Sequence, residues 1–386
     1  MNEREKYLKL AIKLAKKGLG YTNPNPLVGA VIVKNGNIVG KGYHQGYGLP
    51  HAEINALRKA KERAKGATLY LNLEPCCFFG KTPPCTTSII SAGIKEVVTS
   101  LKDPNPKVSG RGISQLKKAG IRVEIGILKK EARKLNEAYL KYITTKKPFV
   151  TLKAAMSLDG KIATKTGESK WITSKVARNF SHQLRLLYDG ILVGIGTVLK
   201  DNPYLNYTPT YRGFHSPRGS VSPGLRRGGK RFTKVIVDSS AKIPLDANLL
   251  KKSKTCLPDR QVILATTKMA SIDKLKKLNE KGIEILILGE NRKVDLLRLM
   301  EELGKRELAN LLIEGGGEIN EAALRLRIVD KVCFFVSPKI IGGRYAKTPV
   351  EGEGIEHLNE AILLKELTCE PIGEDFLVEG YVYRTD

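Results

Sequence analysis

The stretch "PHAEINALRKA" (residues 50–60) decides how the first half of the chain is read. It sets His51 and Glu53 two positions apart, just behind Pro50, where a helical apolar pattern begins. A lone His-x-Glu is more often a surface or capping pair than a site. A catalytic reading needs a second half elsewhere, and "NLEPCCFFGKTPPC" (72–85) can supply it.

Zinc deaminases use one His and two Cys as ligands, with a nearby Glu that is not a ligand, in the patterns H-x-E and P-C-x-x-C. His51-Ala52-Glu53 fits the first, and Pro75-Cys76 opens the second. The C-x-x-C spacing fails because position 79 is Phe; the next candidate after Cys77 is Cys85, directly behind "TPP". The residue types suit the chemistry. Zinc takes thiolates and a neutral imidazole, and a catalytic site keeps one position open for water. Glu53 then shuttles the proton from that water to the ring nitrogen and the leaving amine. Helix starts at His51 and Cys85 favour a thiolate and a negative intermediate. Three thiols compete for two places. Neighbours on an extended chain point to opposite sides, so His51, Cys76 and Cys85 are the expected ligands and Cys77 is structural.

Around these motifs the chain alternates strand and helix. "VGAVIVKNGNIVGKGY" is a hairpin turning at "KNGN". "ATLYLNL", "EVVTSL" and "RVEIGI" are strands, with helices at "TTSIISAGI" and "GISQLKKAG" between them. A single helix, "KKEARKLNEAYLKYITT", leads to a boundary near Lys147. That gives a layered α/β domain over residues 1–146 with a mixed sheet. From residue 147 to 386 the βα rhythm restarts, with strongly apolar strands that imply a sheet covered on both faces. "VGIGTVL" lacks the third glycine of a dinucleotide fingerprint. "LLIEGGGEINEAAL" sets Gly315–Gly317 between a strand and a helix, where backbone N–H groups either receive a phosphate or allow close packing.

The 386 residues suit two domains of ordinary size. The formal charge of +27 predicts attraction to anions, phosphorylated metabolites among them. Part of it is local: "YRGFHSPRGSVSPGLRRGGKRFTK" (211–234) holds seven Lys or Arg and no acid, and its composition reads as loop. Six cysteines are too few for a disulfide scaffold, and Cys256, Cys333 and Cys369 stand apart from any motif. With no signal-peptide core or apolar run of membrane length, a cytoplasmic protein is expected.

"NPNPLVGAVIV", "GKGYHQGYGLPHAE", "LEPCCFFGKTPPC" and "DPNPKVSGRG", in that order, resemble the deaminase half of the bifunctional riboflavin-biosynthesis deaminase–reductases. "LKAAMSLDGKIAT", "GESKWITS", "ILVGIGTVLKDNPYL", "IEGGGEIN" and "PKIIGG" resemble the reductase half, so the likeness spans nearly the whole chain. It implies a cytidine-deaminase-like α/β/α domain followed by a dihydrofolate-reductase-like α/β domain. The first removes the 2-amino group of a phosphorylated diaminopyrimidinone; the second reduces its ribosyl arm with NADPH. Besides zinc on His51, Cys76 and Cys85, with Glu53 catalytic, the resemblance implies substrate contacts at Asn25, His44, Lys81, Asp103 and Asn105. In the second domain it implies substrate contacts at Ser169, Arg185, Leu205 and Glu314. Cofactor contacts follow at Ala155, Trp171, Thr197, Asp201, Ser239, Gly316, Gly317, Glu318, Ile319, Asn320, Glu321 and Ala322. It also implies a homo-oligomer, dimer or tetramer, with no nucleic-acid or membrane partner.

Two positions depart from the family pattern. Phe78 stands where a His is usual, and Thr208 where an Arg would clamp phosphate. Two rival readings have discriminators of their own. A deaminase of bases in RNA or DNA would use the basic second domain as a clamp, but aromatic residues for stacking are few and are not interleaved with the basic stretch. A structural zinc would need a fourth protein ligand, with Cys77 the candidate.

Overall fold

The computed structural model describes residues 2–80, 83–206, 232–251 and 260–383. Two compact units meet in sequence between Lys146 and Lys147.

In the first unit, α1 (Glu3–Ala15) precedes the hairpin of β1 (Gly29–Lys34) and β2 (Asn37–Tyr43); α2 (Ala52–Ala60) and β3 (Thr68–Leu71) follow. Next come α3 (Cys85–Ser91), β4 (Glu96–Thr99), α4 (Arg111–Lys118), β5 (Arg122–Ile125), α5 (Lys129–Leu135) and α6 (Glu137–Thr145). The sheet order is β2-β1-β3-β4-β5. β1 runs antiparallel to both neighbours, and β3, β4 and β5 are parallel. Ala52, Ala56 and Ala60, four apart on one helix face, pack α2 on one side of the sheet with Ile89 and Leu116. Tyr7, Leu8 and Ala11 pack α1 on the other, against Val31, Val33 and Tyr70. The result is an α/β/α sandwich. Small residues let the layers close: a Cβ on Gly42 would lie 2.2 Å from the Ala52 carbonyl oxygen, and one on Gly29 would lie 2.0 Å from that of Ala11.

The single helix expected over "KKEARKLNEAYLKYITT" is two. It breaks at Asn136, whose amide turns inward: Oδ1 accepts from Leu27 N (2.8 Å) and Nδ2 donates to Leu27 O (3.0 Å). Asn72 donates to the same carbonyl at 2.8 Å and accepts from Gly29 N at 2.8 Å. Helical periodicity continues through position 136, but satisfying a buried peptide group outweighs one helical residue.

The second unit begins with β6 (Phe149–Ser157), α7 (Lys175–Leu184), β7 (Gly190–Gly194), α8 (Ile195–Asp201), β8 (Phe232–Val237) and β9 (Arg260–Thr266). It continues through α9 (Ile272–Glu280), β10 (Glu284–Ile287), α10 (Leu296–Lys305), β11 (Asn310–Ile313), α11 (Gly317–Arg325), β12 (Lys331–Ser337), β13 (Leu364–Ile372) and β14 (Asp375–Val382). The sheet order is β10-β9-β8-β7-β11-β6-β12-β14-β13, parallel from β10 to β12 and antiparallel beyond. Leu192 faces one core and Ile191 and Val193 the other, so helices cover both faces as the apolar strands predict. The chain leaves β7 toward β8 but leaves β11 toward β12, on the opposite side. That reversal is a topological switch point, and the carboxyl ends of strands at such a point are the usual ligand position in open α/β sheets.

The sequence pattern misses β13, whose side chains are mostly exposed and carry no alternation. The basic stretch 211–234 is not loop throughout. Its last three residues start β8, and Lys234 is buried with Nζ donating to Leu249 O at 2.9 Å. Residues 207–231, Thr208 among them, lie outside the described residues.

Candidate metal centre and cofactor crevice

His51 caps α2 with its backbone and keeps its ring free for other work. Cys76 follows the turn out of β3, and Cys85 is the first residue of α3. The fold brings the three together: His51 Nδ1 lies 3.3 Å from Cys85 Sγ and 3.5 Å from Cys76 Sγ. All three ligand atoms lie within 4.8 Å of one another, the only such His/Cys/Asp/Glu group among the described residues. Tetrahedral zinc with ordinary bond lengths separates its ligands by about 3.5–3.8 Å. The donor set therefore fits a zinc ion with one position left over. Cys77 is not in the cluster; its thiol points to Lys107 O at 3.7 Å. Among the described residues that leaves a structural site without its candidate fourth ligand.

Glu53, one residue into α2, is 3% exposed, and its Oε2 has no hydrogen-bond partner. Burial pushes its carboxyl up, and it lies against the Cys85 thiol. An orphaned carboxylate oxygen beside three ligand atoms is costly unless another group completes it. The Cys76 thiol, accepting from the Cys85 thiol and from His51, is held down at about 4. His44 stacks edge-on to His51, ring centres 5.2 Å apart. Its Nδ1 faces the Pro50 carbonyl (3.3 Å), which can only accept, so Nδ1 carries the proton. Nε2 then accepts from Asn25 Nδ2 at 3.2 Å. Burial lowers His44 to about 4 and keeps this neutral tautomer. Asn25 and His44 are thus joined beside the metal cluster.

Asp103 and Asn105 sit on the loop before α4. The Asp103 carboxylate is already engaged, accepting from Tyr139 Oη (2.9 and 3.0 Å) and from Asn105 N (2.9 Å). Burial raises it to about 6. Lys81 lies outside the described residues. Phe78, at the departure from the family pattern, lies under the Lys107 ammonium, 5.7 Å from ring centre to Nζ. Glu74 and Tyr139 had no role in the sequence reading. The one available signal for Glu74 was its place beside Pro75-Cys76; Tyr139 offered none.

In the second unit, Thr197 on α8 and Gly316–Ala322 at the start of α11 lie at the carboxyl ends of β7 and β11. Gly194 N donates to Gly315 O at 2.9 Å, and a Cβ on Gly194 would lie 2.7 Å from Ile319 Cγ1. Several side chains of the α11 set face inward. Ile319 and Ala322 pack on the core, Asn320 donates to Pro349 O at 2.6 Å, and Glu321 pairs with Arg325. What this helix offers a ligand is chiefly backbone N–H at its first turn, with Glu318 exposed. Ser239 follows β8, and its carbonyl accepts from Thr266 and Thr267 hydroxyls. Asp201 closes α8 and is exposed, while Ala155 lies in β6. Trp171, 62% exposed rather than in the core, lies 4.2 Å from the Arg178 guanidinium. Ser169, in the preceding loop, is half-buried.

Arg185 and Glu314 form a bidentate pair, Nε–Oε1 and Nη2–Oε2 both 2.7 Å, and Arg185 Nη1 donates to Asn206 O at 2.7 Å beside Leu205. Burial alone would raise Glu314, but Arg185 and Lys153 hold it at about 2. Lys153, lowered by burial, completes this charged group and was absent from the sequence reading.

The two units define a class: a zinc deaminase domain followed by an α/β reductase domain. Residues 1–101 match the cytidine and deoxycytidylate deaminase zinc-binding region, and residues 148–378 match the RibD C-terminal domain. Riboflavin biosynthesis protein RibD of Actinobacillus pleuropneumoniae is 44% identical over 97% of this chain and 94% of its own. The Aquifex aeolicus protein of that name is 42% identical over 96% of each. Among solved structures, Acinetobacter baumannii RibD aligns with a TM-score of 0.84 at 34% identity over 99% of both chains. The Thermotoga maritima diaminohydroxyphosphoribosylaminopyrimidine deaminase/5-amino-6-(5-phosphoribosylamino)uracil reductase aligns at 0.78 and 36% over 99% of both. The chain belongs to the RibD family of riboflavin biosynthesis proteins.

Proposed function

We propose that this chain is a bifunctional enzyme of riboflavin biosynthesis. It hydrolyses the 2-amino group of 2,5-diamino-6-(5-phosphoribosylamino)pyrimidin-4(3H)-one, taking up water and releasing ammonia. It then reduces the ribosyl arm with NADPH to give 5-amino-6-(5-phosphoribitylamino)uracil. Residues 1–146 carry the first step and 147–386 the second. The observation that carries the reading is the His51/Cys76/Cys85 cluster with the unpartnered Glu53 oxygen beside it.

His51, Cys76 and Cys85 hold the zinc, which when bound supplies Lewis acidity toward water. Glu53 takes the proton and delivers it to the departing amine, a role that its burial beside the ligands suits. His44, Asn25 and Asn105 orient the pyrimidine. In the second domain NADPH supplies the hydride. The first turn of α11 and Thr197 receive the cofactor's phosphates, and Ala155, Trp171, Asp201 and Ser239 line its path. Arg185 and Glu314, with Ser169 and Leu205, position the phosphoribosyl arm; holding donor and acceptor carbons close is most of the catalysis.

Among the described residues no helix is long and apolar enough to cross a membrane. We place the enzyme in the cytoplasm, where reducing conditions keep the ligand thiols available. A homo-oligomer is supported by β13, an edge strand with Leu364 and Leu367 exposed and ready to pair with a second copy.

Mass spectrometry of the diaminopyrimidinone ribosyl phosphate, incubated with zinc-loaded protein with and without NADPH, tests this. Amine-to-oxo exchange is expected without NADPH, with added hydrogen only when it is present. No exchange in either case overturns the reading.

A further inference from the structure

One buried carboxylate outside the metal cluster has more partners than a cap requires. Glu74, 3% exposed, accepts from three backbone amides: Asp103 N at 3.1 Å and Gly110 N at 3.0 Å on Oε2, and Ile113 N at 3.1 Å on Oε1. Gly110, at φ +89°, is the N-cap of α4, so the same carboxylate caps that helix and closes both ends of the loop from Asp103 to Gly110. Within the loop the grip is handed on. Asp103 Oδ1 accepts from Asn105 N (2.9 Å), and Asn105 Oδ1 accepts from Lys107 N (3.0 Å). The Lys107 carbonyl then accepts from the Cys77 thiol (3.7 Å), which returns to the segment that holds Cys76. Glu74 and Cys77 flank the Pro75-Cys76 ligand segment, and both hold the loop that carries Asn105. Gly112 completes the fit: a Cβ there would lie 2.3 Å from Pro75 O.

We infer that Glu74 is a positioning residue for the deaminase step, setting the Asn105 loop against the zinc-ligand segment so that the pyrimidine is held at the metal. The assignment rests on the deaminase reading above. Three backbone donors converging on one carboxylate need acceptors only. A glutamine in the same space keeps one oxygen and turns an NH₂ toward at least one donor N–H. The metal ligands and Glu53 do not touch this carboxylate through any of these bonds, so its loss should act on substrate binding rather than on zinc. Loss of a ground-state positioning contact raises KM and leaves kcat nearly unchanged.

The test is Glu74→Gln in the full-length, zinc-loaded chain, alongside the unaltered protein. Zinc content, deamination kinetics and NADPH reduction of separately supplied deaminated compound are measured on the same samples. The expected result is zinc retained, reduction unchanged, and deaminase KM raised roughly tenfold or more, the scale of one charge-assisted hydrogen bond. Glu74→Asp, too short to reach all three amides, should give the same split if Glu74→Gln does not accumulate as folded protein. Unaltered KM in a zinc-loaded variant overturns the assignment. So does loss of zinc in both variants, which would make Glu74 a support of the metal segment. If the unaltered protein itself does not deaminate, the functional reading fails, not this assignment.

Discussion

At the residue scale, Glu53 is distinguished by what it lacks. A buried carboxylate oxygen without a partner is unfavourable in a metabolic fold unless chemistry requires it. Glu53→Gln should therefore lower deamination kcat by about 10²–10⁴ while zinc, measured by mass spectrometry of the metal, stays bound. The thiols should separate in the same assay: Cys85→Ser loses zinc, and Cys77→Ser keeps it, because Cys85, unlike Cys77, shares the His51 contact. Glu314 gives a pH dependence with a definite sign. Its carboxyl is held at about 2 against an ordinary 4.5, so the stability it contributes is complete above pH 4.5 and is lost as pH falls toward 2. The shift corresponds to at most on the order of 3 kcal/mol. Glu314→Gln should be destabilised near pH 7 by about 3–5 kcal/mol, since Arg185 is left buried without its partner. Thermal melts of that variant should lack this part of the decline below pH 4.5.

At the element scale, close approach and inward-turning amides shape the first unit. Asn72 and Asn136 both hold Leu27, and so fix the segment that leads from Asn25 into β1. Asn136→Ala should cost about 1–3 kcal/mol in urea unfolding, because a buried peptide group loses its partner. It should also weaken substrate binding through Asn25 if that residue orients the pyrimidine. These ties were not legible in the sequence. The periodicity of "KKEARKLNEAYLKYITT" continues through Asn136 because one residue facing a distant carbonyl leaves no local mark. β13 was hidden for a related reason: an exposed edge strand needs no alternation, so its pairing with β14 is known only from the tertiary structure. By contrast, the "KNGN" hairpin, α2 and the apolar parallel strands were readable, since turn chemistry and burial on known faces write themselves into short windows.

At the scale of the whole molecule, the two units have separate site chemistries and should respond separately. Removing zinc with a chelator should abolish deamination while NADPH reduction of supplied deaminated compound continues; withholding NADPH should leave the deaminated compound as the end product. Rate measurements on the two half-reactions check both. The sequence by itself determined the zinc-ligand types, the α/β class of both halves and the family, because motif order and residue chemistry are properties of the chain. Alternation of neighbouring residues already set Cys77 apart from Cys76 and Cys85; only the tertiary structure turned Cys77 to the Lys107 carbonyl and gathered three amides on Glu74. It also set the starts of α8 and α11 at the carboxyl ends of the neighbouring strands β7 and β11. Those facts depend on which distant segments become neighbours, and that is set by the packing of layers rather than by any local run of residues.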